Sequence, residues 1–385
     1  MRDVCIAGIG QIAVGEHWDR SLRDMAVDAV VSALNDAQVE RPQMLFVGNM
    51  LSGQLSLQEN LGALVADYAG LRGIEAFKIE AACASAAAAL RLAYLAVAGG
   101  MCDVAVACGV EKMTESRSDR VTTALATAAD AVYEAEQGVS FVALNALLMQ
   151  RYMHQYGYRR EDFGGFAVNA HANAAGNPWA MFQRPITPEQ FATARLIAAP
   201  ISLLDSAGIG DGAAAVVVMP ADLAGQPPRK PVRIRASASA TDAVALHDRR
   251  DPLVLDAAAL SAGRAYAEAG VGPQDVDLFE LHDAFTIMSA LSIEACGLAP
   301  RGHGVGLAKE GAIALHAAHP MSTMGGLKAR GHPVGATGLY QVVEACLQLR
   351  GEAGVNQIKG ASLAMTQNIG GSGANVFTHI LERCW

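Results

Sequence analysis

Lys78-Ile-Glu-Ala-Ala-Cys-Ala-Ser85, followed at once by a run of alanines, is the stretch on which the reading of this chain turns. An apolar segment ends in a cysteine, and a small-residue helix begins beside it. A thiol in that position faces the positive end of the helix dipole and its unpaired N–H groups. Such a setting lowers a thiol pKa and makes the nucleophilic thiolate available near neutral pH. On this segment alone a buried structural cysteine competes with a reactive one.

Two later segments carry complementary chemistry. In Asp277-Leu-Phe-Glu-Leu-His-Asp-Ala-Phe285 a predicted strand runs into His282. In Gly325-Gly-Leu-Lys-Ala-Arg-Gly-His-Pro-Val-Gly-Ala-Thr-Gly338 a glycine-rich turn places His332 just before a helix-initiating proline. A cysteine nucleophile needs a base, and histidine serves at physiological pH. Glycines around one of the two rings permit close approach of other groups.

The remaining pattern bounds the fold. A chain of 385 residues exceeds one typical core, so two domains or a repeated unit are expected. Strand and helix signals alternate: strands at Val4–Ile9, Asp103–Gly109, Ala213–Met219, Val232–Ala238, Val276–Leu281, Ser362–Thr366 and Ala374–Ile380, with helices at Leu22–Ala37, Ala257–Ala269 and Pro333–Leu349. Gly225-Gln-Pro-Pro-Arg-Lys-Pro231 reads as a linker. The polar, helical stretch at about 111–200 reads as an insertion that covers substrate. The net charge of −9 excludes a broad basic face for nucleic acid. Seven scattered cysteines, without a Cys-x-x-Cys pair, fit reduced thiols in the cytoplasm and neither a disulfide framework nor a metal site. Ala81–Gly100 is long and apolar, but its alanines and Arg91 favour a buried helix over a membrane span.

The chain resembles thiolases over essentially its whole length, and most of all the archaeal-type acetyl-CoA acetyltransferase subgroup. The resemblance rests on Ala81-Ala-Cys-Ala-Ser85, Gly109-Val-Glu-Lys-Met113, Leu203-Leu-Asp205, Asp211-Gly-Ala-Ala-Ala215, His282-Asp-Ala-Phe285, Gly331-His-Pro-Val-Gly-Ala-Thr-Gly338 and Gln367-Asn-Ile-Gly-Gly371. It implies an α/β thiolase fold: two similar βαβαβαββ halves packed as a five-layer α-β-α-β-α core, with a loop domain inserted in the first. The halves would be 1–225, with the insertion at about 111–200, and 232–385. The implied activity is condensation of acetyl-CoA, or CoA-dependent cleavage of a 3-ketoacyl-CoA, through an acyl-cysteine. Coenzyme A thioesters would be substrates, with no permanently bound cofactor.

By the same resemblance Cys83 is the nucleophile, His332 activates it and later helps stabilise the enolate oxygen, and His282 serves the enolate site. The backbone N–H groups of Cys83 and Gly370 match the donors for the tetrahedral intermediate. The chain departs from the pattern where many thiolases carry a second cysteine, since that place holds Asn368, and the alternative place holds Ala284. Asn368 can hydrogen-bond but cannot exchange a proton, so the proton passes to His282, His332 or a water, with His282 favoured. Ala86 and Ser322-Thr-Met324 also depart, and are expected to reshape the acyl pocket.

Two other readings stand beside this one. Cys83, His282 and His332 also resemble the triad of decarboxylating ketoacyl synthases. Thiolases of the resembled subgroup associate with a small zinc-ribbon and OB-fold protein, and some with HMG-CoA synthase, so the chain could be a subunit that depends on a partner. Homodimers or homotetramers are the family habit. The retained Cys83 argues against the retro-aldol chemistry of some partner-bearing relatives.

Overall fold

The computed structural model describes residues 2–225 and 230–385; most of the linker expected at 225–231 lies outside them. Among the described residues eleven strands are present: β1 Val4–Gln11, β2 Met44–Gly48, β3 Glu75–Ile79, β4 Ala105–Glu111, β5 Leu196–Ala198, β6 Ile201–Ser202, β7 Gly212–Pro220, β8 Val232–Thr241, β9 Leu278–Glu280, β10 Leu363–Gly370 and β11 Asn375–Arg383. The α-helices are α1 Leu22–Ala37, α2 Leu61–Tyr68, α3 Ser85–Ala98, α4 Ser118–Ala126, α5 Phe141–Tyr156, α6 Gly164–Ala174, α7 Pro188–Ala192, α8 Asp256–Ala269, α9 Thr286–Ala295, α10 Gly304–Lys309 and α11 Thr337–Arg350.

Strand alternation builds the layers. Ala213, Ala215, Val217 and Met219 of β7 pack with α1 and α2, while Ala214, Val216 and Val218 face α3 and α11. A strand buried on both faces has no polar side to show, which is why this run is unbroken Ala and Val. On the other side of α3 and α11 lie Ile234, Ala364 and Leu381, whose strands present Ala236, Met365 and Ile380 to α8 and α9. Helices, strands, two central helices, strands and helices thus stack in five layers.

The main sheet runs β3-β2-β4-β7-β1-β8-β11-β10-β9. Two antiparallel pairs, Cys5↔Arg233 and Ile6↔Val232, join β1 to β8, so the strands of the two strand layers form one continuous sheet folded over α3 and α11. The order β2-β4-β7-β1 recurs as β9-β10-β11-β8, and the counterpart of β3 shrinks to a single bridge, Phe279↔Met321. Helices α3 and α11 hold equivalent places in this repeat. Among the described residues no helix is long and apolar enough to cross a membrane; the alanine run forms the buried core helix α3.

The two central helices meet through small residues. A Cβ on Gly338 would lie 2.7 Å from the backbone N of Ala87, and one on Gly109 of β4, which packs against both helix starts, would lie 2.6 Å from Ala86 Cβ and 2.8 Å from Ala336 Cα. Ala86, expected to shape a pocket, is therefore a packing residue in this contact. The segment between β4 and β7 carries α4 to α7, and its Leu144, Met149 and Tyr152 share a core with Ile287 and Leu291 of α9. Tyr152 Oη donates to Glu294 Oε1 at 2.6 Å, tying this insertion to the far side of the molecule.

Gly338→Val places branched carbon where no space exists. It is expected to lower the unfolding free energy by about 2 kcal/mol, within the range for overpacked cores, as measured by urea denaturation. An unchanged midpoint would show that the helices do not touch there.

Candidate active site

Cys83 lies in a tight turn between β3 and α3. Ala82 adopts a left-handed backbone (φ 52°), unusual for a residue with a Cβ. The turn is stitched by Ser85, whose hydroxyl donates to the Ala82 carbonyl at 2.6 Å and accepts from the Ala81 N–H at 2.9 Å. The helix proper starts at Ser85, two residues beyond the cysteine. The N–H groups that reach the sulfur are those of Cys83 itself and Gly371, not the first turn of α3.

This corrects the expectation of a low thiol pKa. Burial pushes the Cys83 thiol up to about 12, the Glu111 carboxylate adds to the rise, and the two amides offset only part of it. The glycine assignment shifts by one as well. Gly371 (φ 62°) lines the cavity, whereas Gly370 ends β10, and a Cβ there would lie 2.3 Å from the Ala81 carbonyl oxygen. Gly370 thus permits the close approach that brings the next residue's amide to the sulfur.

The two histidines arrive on loops that share one clamp. The segment 206–209 bridges Phe285 through Ser206 and His332 through Ile209; the Ala207 N–H donates to the Ala284 carbonyl and the His332 N–H to the Gly208 carbonyl. The imidazoles of His282 and His332 lie 5.4 Å apart, edge to face. Cys83, His282, His332 and Gly371 line one cavity of ≈ 370 Å³. Its wall is mostly apolar, and the insertion supplies Thr122, Leu125, Phe141 and Ile197 to it. Ser322, Thr323 and Met324 are not among its lining residues, so that departure bears on packing and not on the acyl pocket.

Hydrogen-bond partners assign a tautomer to each ring. His332 Nδ1 lies 2.6 Å from Thr337 Oγ1, whose own proton has the Pro333 carbonyl to go to at 3.4 Å. The hydroxyl then accepts from Nδ1–H, leaving a lone pair on Nε2. His282 is the opposite case. Asn368 Nδ2 donates to its Nδ1 at 3.2 Å, so the His282 proton sits on Nε2. Both rings are neutral: burial lowers His282 to about 3 and His332 well below its usual value, and buried Lys328 and Arg330 act in the same direction on both. His282, read from sequence as able to donate directly or to titrate, is with this tautomer a hydrogen-bond donor at rest.

Three motif carboxylates are hubs for hydrogen bonds. Glu111 accepts from the Met50, Leu51 and Gly335 N–H groups and from Asn49, joining the cavity wall to the turn after His332. Burial raises it to about 7 against these donors. Asp211 accepts from Met113, Thr114 and His17, and Asp205 from Ser202 and Thr286. Sequence reading marked these segments without roles, because their partners are distant in the chain.

Residues 4–197 match the thiolase N-terminal domain and residues 238–383 the thiolase C-terminal domain-like family. The chain is 44% identical to an acetyl-CoA acetyltransferase of Methanothermobacter thermautotrophicus over the full length of both, and 39% identical to one of Methanocaldococcus jannaschii over 99% of each. It is 33% identical to the benzoylsuccinyl-CoA thiolase subunit BbsB of Thauera aromatica, over 100% of this chain and 99% of that one. A solved structure titled Ltp2-ChsH2(DUF35) aldolase superposes with a TM-score of 0.86 at 26% identity, covering 99% of this chain and 98% of its own. The chain belongs to the thiolase family. Its activity is that of a thiolase-type acyltransferase, and nothing in these findings favours a decarboxylating synthase.

A thiol held up to about 12 beside a neutral imidazole is not a preformed ion pair. Alkylation of Cys83 by iodoacetamide, followed on its own peptide by mass spectrometry, is expected to accelerate roughly tenfold per pH unit between about pH 8 and 10. A plateau reached below pH 7 would show a resting thiolate.

Proposed function

We propose that this protein carries an acyl group on Cys83 between two coenzyme A thioesters, condensing acetyl-CoA or cleaving a 3-ketoacyl-CoA with CoA. The observation that carries the proposal is the convergence of one thiol and two buried imidazoles, each held by a side-chain hydrogen bond at Nδ1, on a single cavity. As the sulfur attacks the thioester carbonyl, its proton passes to His332 Nε2. The N–H groups of Cys83 and Gly371 receive the carbonyl oxygen. The departing coenzyme A thiolate takes that proton back, and His332 is neutral again.

In the second half, His282 Nε2–H donates to the thioester oxygen of the incoming acetyl group while His332 Nε2 removes a proton from its α-carbon. The enolate carbon attacks the acyl-cysteine, the C–S bond breaks, and the Cys83 thiolate recovers the proton from His332. One imidazole thus serves as acid and base in both halves, and the other only donates. That division removes the need for a second cysteine at Asn368.

The apolar wall around Phe141, Val142 and Met288 supports apolar 3-ketoacyl thioesters as substrates. The seven free cysteines support a reducing, cytoplasmic setting. A homodimer is supported by β3, an edge strand that exposes Phe77 (45%), and by the exposed Leu92 and Leu95 of α3. A second reading, that a further component completes the enzyme, draws on the two-component title of the aldolase. Full turnover by the isolated chain would remove it.

The test is CoA-dependent cleavage across acetoacetyl-, longer-chain and aryl 3-ketoacyl-CoA esters, together with acetyl exchange between acetyl-CoA and free CoA. Cys83→Ala is expected to reduce both by about 10³-fold or more. His282→Ala is expected to slow CoA-dependent cleavage, which passes through the same enolate as condensation, by about 10²-fold while exchange stays within a few-fold of the parent. Equal losses in both reactions would make His282 a structural residue. Carbon dioxide release from malonyl-CoA without CoA-dependent cleavage would overturn the proposal.

A further inference from the structure

We infer that Gln341, on α11, is the positioning residue that fixes His282 as a donor, and that it acts through Asn368. The inference rests on the reading of His282 given above and adds a residue to it.

Gln341 is fully buried, and its Nε2 donates to the Glu280 carbonyl at 2.9 Å and the Gln367 carbonyl at 3.2 Å. Two main-chain acceptors on two adjacent strands, β9 and β10, take both amide protons. The amide cannot turn without setting its oxygen against both carbonyls. Its Oε1 is therefore an acceptor of fixed direction, and Asn368 Nδ2 donates to it at 2.8 Å.

The constraint then passes along. Asn368 spends one amide proton on Gln341 and the other on His282 Nδ1, so its Oδ1 points away from both and is left buried without a partner. An orphaned amide oxygen is costly. A side chain free to turn would relieve it, and would then present oxygen to Nδ1 and draw the His282 proton from Nε2 to Nδ1. Gln341 blocks that turn. The chain of bonds runs from two strand carbonyls to Gln341, to Asn368, to His282 Nδ1, and it leaves Nε2–H for the cavity. Partners that orient metal-bound histidines at one remove alter activity about 10- to 100-fold, and that scale is carried over here to a ring whose donor nitrogen is set in the same way.

The experiment compares the parent with Gln341→Met and Gln341→Leu, both of which lack the acceptor. The tautomer of His282 is read by nitrogen NMR on histidine-labelled free protein, the signal being assigned by its loss in His282→Ala. The expected result is an Nε2–H tautomer in the parent and an Nδ1–H or mixed population in the variants. Condensation is expected to fall about 10- to 100-fold, while acetyl exchange, which uses Cys83 and His332, stays within about two-fold and reports that the fold is intact. Adding Gln341→Met to Asn368→Ala should cost nothing further, because one path carries both effects. An unchanged tautomer, equal loss in both reactions, or additive losses would overturn the inference. A parent protein without acetyl exchange would instead sink the functional reading, and the tautomer measurement would still decide the role of Gln341.

Discussion

The close contact of α3 with α11 is the constraint on which the site depends. Each helix follows a turn that carries a reacting side chain, Cys83 before α3 and His332 before α11. Those turns can share a cavity only if the helix starts nearly touch. Gly338 against Ala87 provides the clearance between them, and Gly109 of β4 provides it beneath Ala86 and Ala336, at the level of single atoms. The alanine run at the start of α3 is thus a requirement of the chemistry as well as of the core. Because the two helices occupy equivalent places in a repeated topology, the site lies where the two copies of the repeat meet.

Electrostatics complete what packing begins. Lys328 Nζ donates to the main-chain carbonyls of Asp205 and Asp283, and Arg330 pairs with Glu344 at 3.0 Å, both deep in the structure. These fixed cations disfavour a second positive charge on either imidazole. The thiol is likewise held in its neutral form by burial and by Glu111. At rest the thiol and both imidazoles are therefore neutral. Charge appears only when a thioester oxygen is present to receive it, next to amides already in position. The neutrality of the rings is useful because it lets hydrogen bonds, and not solution pH, decide which nitrogen carries the proton.

Much of this was legible in the sequence. Helix α1 falls at Leu22–Ala37 as the periodicity requires, with Ser21 and Asp24 forming its capping box. Cys83, His282 and His332 declare themselves by residue type and local setting. What the sequence could not supply depends on neighbours far along the chain. The left-handed Ala82 delays α3 until Ser85, so the dipole argument for the thiol fails. The helix expected from Pro333 begins at Thr337 after a tighter turn, and that threonine holds the ring of His332. Gly371 in place of Gly370, and the roles of Glu111 and Gln341, follow from strand register and helix contacts that no local pattern encodes. Asn368 was visible as a departure from the family pattern; its meaning required the partners on either side of it.

The central claim, that the two helix starts bring a thiol and an imidazole into bridging range, can be tested with a short bifunctional reagent. Dibromoacetone alkylates a thiol at one end and an imidazole at the other only when the two are neighbours. Treated at mildly alkaline pH and digested, the folded protein should yield a cross-linked pair of peptides, one containing Cys83 and the other His332 or His282. Alkylation of Cys83 at one end alone, with no imidazole captured in the folded protein, would contradict the account.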